Sequence, residues 1–378
     1  MMKRLTTLSI FIFLPIMVLA ILFFAPLPIH YKTDFSILYF ANKALLNGIH
    51  LYDYPGQMKL LPAFPGLVFT PYPYPPWYAL ATLPIAFLPV EAAARMWFLL
   101  NLAMIAVATW LLTPNWQTPL RLFFILLAIM FVPAFGLLIV GQYSAPVLLG
   151  AALFVWSAKE KSSCGIAASL GLMTFKPHIG LFLILIALGW LLYHRKNIFA
   201  RRALLISSIL AVTMVAIGFF ADPAWPLTYF ESLGLYRDIP GVQSCGLCAG
   251  LSVGIVRFVT GEPDFRKAIT VSLFLAVGLM GLYFAKLRTQ LHDAANLMAL
   301  STIFTLLMFP YLLNYDYILL LIPFAVLGKR INSLPGLSIL MGAYLLPWGI
   351  PIYGRDANLL LAISSLLLLV LFLRPKTL

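Results

Sequence analysis

Apolar residues occur along this chain in long blocks separated by short polar stretches. The blocks lie near 8–25, 93–112, 120–138, 143–158, 163–176, 178–193, 203–220, 268–285, 294–310, 315–328, 333–348 and 357–373. Each is roughly long enough to form a helix that crosses a bilayer with some tilt or kinking. Several are short, which suits helices packed inside a bundle. A further block, 77–89, starts after Pro75-Pro76 and is broken by Pro84 and Pro89. The pattern predicts an all-α, polytopic transmembrane helical bundle, with residues 1–378 forming a single membrane domain.

Composition agrees. Hydrophobic residues make up 62% of the chain and charged residues 10%, whereas a soluble domain carries about 25% charged residues. The net charge of +13 raises the question of nucleic acid. The distribution answers it, because Lys and Arg fall in small clusters between apolar blocks. Such clusters set topology and contact anionic membrane lipids. If 77–89 does not cross, then Lys3/Arg4, Lys159/Lys161, Arg195/Lys196/Arg201/Arg202, Lys286/Arg288, Lys329/Arg330 and Arg374/Lys376 all fall on one face. The positive-inside rule makes that face the cytoplasm. The expectation is therefore twelve spans with both termini inside, a retained first span at the N-terminus and an interfacial or re-entrant 77–89. Two long outer segments follow, about 26–92 and 221–267, and ten of the twelve acidic residues lie outside or near the outer boundary. Polar bulk on one side places the work of the protein on that side.

Asp34 is the first candidate for chemistry. A carboxylate at a membrane mouth can act as a general base on a hydroxyl; equally, Thr33-Asp34 can cap the helical stretch 35–47. The loop Phe69-Thr70-Pro71-Tyr72-Pro73-Tyr74-Pro75-Pro76-Trp77-Tyr78 offers aromatic faces for a sugar ring, or interfacial anchors. Gly141-Gln142 falls at an outer turn, where Gln142 can bind a polar ligand or close the hairpin. Lys176-Pro177-His178 places cations at the outer boundary, against the positive-inside trend. A cation at that depth calls for a partner or a ligand, and a lipid-linked phosphate is a natural one; snorkelling of Lys176 is the alternative. Arg237, Arg257 and Arg355 are further outer cations. Asp316, in Asn314-Tyr315-Asp316-Tyr317, can cap a helix or line a cavity. Cys245 and Cys248 are a local disulfide or two free thiols, and Cys164 reads as helix packing.

The chain has no P-loop, dinucleotide fingerprint or zincin motif, and the cysteines do not complete a zinc site. No cofactor is expected. An outward-facing enzyme has no cytosolic nucleotide sugar at hand, so a membrane-bound, lipid-linked donor is the available substitute. A multispanning transporter or flippase is the rival reading. It expects internal repeats and mid-membrane charges, whereas here the acids collect at one face.

Tyr31-x-x-Asp34-Phe35 with Tyr39, then Ala44-Leu45-Leu46-x-Gly48 and Leu51-Tyr52, resembles the first outer loop of glycosyltransferase family 87. Tyr74-Pro75-Pro76, Leu83-Pro84, Leu88-Pro89, Trp97, Gly141-Gln142, Lys176-Pro177 and Tyr315-Asp316-Tyr317 continue the resemblance in order over roughly 30–330. That family includes polyprenyl-phosphate-mannose-dependent α-1,2-mannosyltransferases and is assigned to the GT-C fold. The resemblance implies inverting, metal-independent transfer of a hexose, mannose above all, from a polyprenyl-phosphate donor to a lipid or glycan hydroxyl on the extracytoplasmic side of a bacterial inner membrane. It also implies that Asp34 is the base. The candidate substrate contacts are Lys176, His178, Gln142, Tyr74, Tyr39 and Asp316.

Overall fold

The computed structural model describes residues 34–64, 69–239 and 248–373, with 16–17, 20–21, 23–24 and 245 beside them. Tyr31-Lys32-Thr33, most of the first apolar block and the terminal basic clusters lie outside the described residues. Among those described the chain is helical, with one isolated antiparallel bridge, Cys248 to Leu313.

The helices are α1 (Asp34–Leu46), α2 (Tyr54–Met58), α3 (Pro76–Thr82), α4 (Val90–Leu112), α5 (Thr118–Ile129), α6 (Val132–Val140), α7 (Ser144–Glu160), α8 (Ser163–Met173) and α9 (Pro177–Tyr193). There follow α10 (Ile198–Ala221), α11 (Trp225–Arg237), α12 (Leu251–Thr260), α13 (Phe265–Gln290), α14 (Ala294–Met308), α15 (Leu321–Gly328), α16 (Leu334–Leu345), α17 (Ile350–Tyr353) and α18 (Leu359–Leu373). A 3₁₀ turn, Asn314–Leu320, leads into α15, and another, Leu83–Phe87, follows α3.

Four helical stretches are long and apolar enough to cross a membrane: Val90–Leu112, Ile198–Ala221, Phe265–Ala285 and Leu334–Tyr353; α5 and α6 together make a fifth if counted as one bent span. Helix α10 shows the lipid-facing character well. Leu205, Ile209, Val212 and Phe220 are all exposed, and a helix with apolar residues exposed on this scale belongs in hydrocarbon rather than water. At the centre runs α14, where every residue from Asn296 to Met308 is buried. Its serine and threonine hydroxyls turn back to the preceding turn's carbonyls, as in Thr302 to Met298 at 2.8 Å, so polar atoms enter the core without remaining unpaired.

The expected span 120–138 is two helices. They meet at 60° across a break at Met130-Phe131, with Pro133 in the first turn of α6. Proline has no N–H to donate to the helical ladder of α5, but it fits a helix start. The ambiguous block 77–89 forms α3 and a 3₁₀ turn.

Prolines and one glycine build the functional end. Gly141 closes α6 in the left-handed conformation (φ 69°), which only glycine adopts freely. A β-carbon there would lie 2.7 Å from Cβ of Phe35, so the bare backbone also lets α1 sit directly on the turn. Trp97 of α4 clamps this turn by donating to the Gly141 carbonyl at 2.8 Å. Tyr74, Tyr78 and Tyr143 meet edge-on around it and Trp97 meets Tyr143 at a tilt, each pair worth about 0.5–1.5 kcal/mol beyond area burial.

Much of the aromatic loop is therefore turned inward. Tyr72 and Tyr78 are 1% and 0% exposed and serve as core. Cys164 lies exposed near the start of α8 instead of packing inside. Cys245 and Cys248 form a disulfide.

Candidate active site

Four chain breaks converge at one end of the bundle: the start of α1, the α6–α7 turn, the α8–α9 junction and the 3₁₀ turn before α15. Each break presents a polar residue. Asp34 opens α1, Gln142 and Ser144 follow Gly141, and Lys176 precedes Pro177. Asp316 sits inside the 3₁₀ turn. Proline at 177 holds Lys176 in an extended conformation (φ −130°), and this turns its side chain away from the helix ladder.

Asp34 receives two hydrogen bonds on the same oxygen. Gln142 Nε2 and the Tyr315 hydroxyl, at 3.2 Å, both donate to Oδ2. Among the described residues Oδ1 takes none. Tyr143 donates its hydroxyl to the Asp34 main-chain carbonyl, which anchors the first turn of α1. Burial pushes the Asp34 carboxyl above its ordinary value, opposed by the Gln142 hydrogen bond, the Lys176 charge and the Tyr315 hydroxyl. Asp34 opens α1, where the helix-cap reading puts it, and its Oδ2 is directed across the fold.

Lys176 is 2% exposed and Asp316 0%. The ammonium donates to Gln142 Oε1 at 3.1 Å, to Ser144 Oγ at 3.1 Å and to Asp316 Oδ1. Asp316 Oδ1 also accepts from Ser144 at 2.6 Å, and Oδ2 accepts the Leu313 backbone N–H at 2.9 Å. Asp316 closes its own turn, as a helix cap does, but it is fully buried and does not line the neighbouring cavity. The His178 ring stands with Nε2 4.0 Å from Asp316 Oδ2, and that buried nitrogen makes no closer hydrogen bond among the described residues.

Beside this network lies a cavity of about 230 Å³. Its wall includes Tyr74, Gln142, Lys176, His178 and Tyr315, together with Tyr236, Arg237 and Tyr311. Asp34 stands directly behind the Gln142–Tyr315 wall. Tyr39 and Asp316 are the expected contacts that do not line the cavity; Asp316 is buried behind it, and Tyr39 is turned elsewhere. Its hydroxyl donates to the Leu88 carbonyl at 2.9 Å, and its ring is buried against Phe35. The sequence reading passed over Tyr143, Ser144, Tyr236 and Tyr311 as site residues. Gln142-Tyr143-Ser144 was the available signal, a polar run directly after a helix-ending glycine.

A helix bundle with an imidazole and a guanidinium on a small, largely apolar cavity, and a carboxylate behind its wall, has the equipment for transfer to a hydroxyl. The model of glycosyltransferase family 87 matches residues 72–310, well over half of the chain, and the protein belongs to that family. No curated protein matches it. The matched region contains Tyr74, Gln142, Lys176 and His178. Asp34 and Asp316 lie on either side of it and come to the site through the fold.

Proposed function

We propose that this glycosyltransferase moves a hexose, mannose in the first instance, from a polyprenyl-phosphate donor to a hydroxyl of a lipid or glycan acceptor. The twelve-span topology with cytoplasmic termini belongs to the same proposal and puts the cavity on the extracytoplasmic side of a bacterial inner membrane. Nucleotide sugars are absent there, and a lipid carries the activated sugar instead.

The observation that carries the reading is Asp34. Among the described residues its side-chain hydrogen bonds fall on Oδ2, which leaves Oδ1 to accept a proton. The burial that raises its proton affinity brings it nearer the working pH, which strengthens a base. In the reaction Oδ1 takes the acceptor's hydroxyl proton as that oxygen attacks the anomeric carbon. The bond from that carbon to the donor phosphate oxygen breaks, and the phosphate leaves with the electron pair. Attack opposite the leaving group inverts the anomeric centre. The proton then passes from Asp34 to water.

His178 and Arg237 face the cavity with donors for the departing phosphate. Donors placed where charge develops stabilise the transition state selectively. Tyr74 also lines the cavity, where its ring can meet a sugar face.

Asp34→Asn is the decisive variant. Loss of a general base costs about 10²–10⁴-fold in rate. Transfer of label from polyprenyl-phosphate mannose to lipid and glycan extracts of a deletion strain measures it. Undiminished transfer by a folded Asp34→Asn protein overturns the assignment. Profiling what goes unglycosylated in that strain names the acceptor.

A further inference from the structure

We infer that the buried Lys176–Asp316 pair is a positioning device that orients the Gln142 amide toward Asp34, and that it does not hold the donor phosphate. The inference rests on the reading of Asp34 as base.

Donor arithmetic comes first. A lysine ammonium has three N–H groups and no acceptor. Lys176 has three protein acceptors: Gln142 Oε1, Ser144 Oγ and Asp316 Oδ1. A phosphate can be bound only by displacing one of them. Asp316 in turn accepts from Lys176, Ser144 and the Leu313 amide. The pair is satisfied internally, as a buried pair must be if it is to persist.

The amide orientation follows from the same chemistry. The two ends of a glutamine amide are told apart by their partners. The end facing Lys176 also faces the Tyr143 backbone N–H at 3.1 Å. Both of those neighbours are donors, so this end is the oxygen. The other end is then the NH₂ group, and it meets Asp34 Oδ2. A line of polar contacts runs from Asp316 through Lys176 and Gln142 to the base. It delivers one N–H to Oδ2 and leaves Oδ1 for the acceptor.

Without the ammonium, the Gln142 amide loses the partner that fixes its rotation. A carbonyl turned toward Asp34 repels the carboxylate where an N–H had stabilised it. The proton affinity of Asp34 then rises further. The other titratable groups around Asp34 are Tyr315 on the same oxygen, Tyr143 on its backbone, and Tyr74, Tyr236 and Tyr311 from the surrounding loops. His178 stands beyond, against Asp316. All of these remain in the variants below.

The test uses the full chain in nanodiscs. Lys176→Met with Asp316→Asn removes both charges together, so no lone buried ion is left to unfold the protein; Gln142→Ala removes the amide alone. The Asp34 carboxyl is titrated by infrared difference spectroscopy against Asp34→Asn, a readout that needs no substrate. In both variants the titration midpoint is expected to move to higher pH. Turnover with polyprenyl-phosphate mannose is expected to fall about 10–100-fold, the worth of a hydrogen bond to a charged group, with the donor KM held within a few-fold.

A donor KM raised more than tenfold with the Asp34 titration unmoved overturns the inference and returns Lys176 to the phosphate. If Asp34→Asn itself keeps full activity, the base reading fails instead. An Asp34 titration that does not move in Gln142→Ala also overturns the inference, whatever sugar the enzyme prefers.

Discussion

Asp34 and Asp316 are two aspartates joined through one lysine and one glutamine, yet their surroundings give them opposite work. Asp316 is fully buried and has a cation, a hydroxyl and a backbone amide upon it. Both its oxygens accept protein donors. Asp34 keeps partial access to solvent, and its two donors are the uncharged groups of Gln142 and Tyr315 on a single oxygen. A carboxylate paired with a cation is held in its charged form and makes a poor base, while one facing neutral donors keeps its affinity for a proton. The fold thus spends one acid on architecture and reserves the other for chemistry.

The sharpest way to break this comparison is to exchange each acid for its amide. Asp34→Asn is expected to cost about 10²–10⁴-fold in transfer while the protein stays folded. Asp316→Asn is expected to act on stability instead. Removing one member of a buried ion pair costs about 3–5 kcal/mol, because the remaining charge is left without compensation. Melting of the purified protein in detergent measures this. The double variant with Lys176→Met should recover much of the loss. Equal melting points for single and double variants would show that the two residues are energetically independent.

The comparison also shows what the sequence could and could not reveal. Apolar blocks translate directly into α4 and α10, since each is a continuous run long enough to cross a bilayer. The same signal marks 120–138 as one block without its 60° bend, because α5 and α6 are equally apolar and the bend depends on a local break that hydropathy does not register. Asp34, Gln142, Lys176 and Asp316 stood out as polar residues beside apolar blocks. Their partnership did not, because Gln142 and Asp34 are 108 positions apart and Lys176 and Asp316 are 140 apart. Periodicity reports only neighbours within a helix or strand. Tyr39 misled for the converse reason: it lies on the helix that carries Asp34, but its hydroxyl is used by Leu88. Helix α1 turns the two side chains to different surroundings.

Tyr315 tests the Asp34 side of the comparison more gently. Its hydroxyl donates to Asp34 Oδ2, while its ring lies 4.6 Å below the Lys176 ammonium. Tyr315→Phe keeps the ring and removes only the donor. A hydrogen bond to a charged group is worth about 1.5–3 kcal/mol, so transfer should fall by roughly tenfold or somewhat more. The lost donor had favoured the charged carboxylate. The acid limb of kcat/KM should therefore move to higher pH, with activity lost sooner as pH falls. An unchanged limb would mean that Tyr315 contributes packing alone.

The smallest effect is expected on the Asp316 side, from the disulfide. Cys245 and Cys248 are three positions apart, and closing so short a loop stabilises by only about 2 kcal/mol in the chain-entropy view. Its influence on the site runs through the backbone. Cys248 pairs with Leu313, and Ala249 donates its N–H to the Leu312 carbonyl. The Leu313 amide in turn donates to Asp316 Oδ2. Cys245→Ser with Cys248→Ser should thus lower the melting point modestly and loosen the Asp316 turn while sparing the bonds on Asp34. Transfer should suffer less than in Tyr315→Phe, and the acid limb should stay in place. A loss larger than that of Tyr315→Phe, or a shifted limb, would show that the two aspartates are coupled more tightly than their separate hydrogen-bond sets imply. The boundary between architecture and chemistry would then run through Gln142 and not around it.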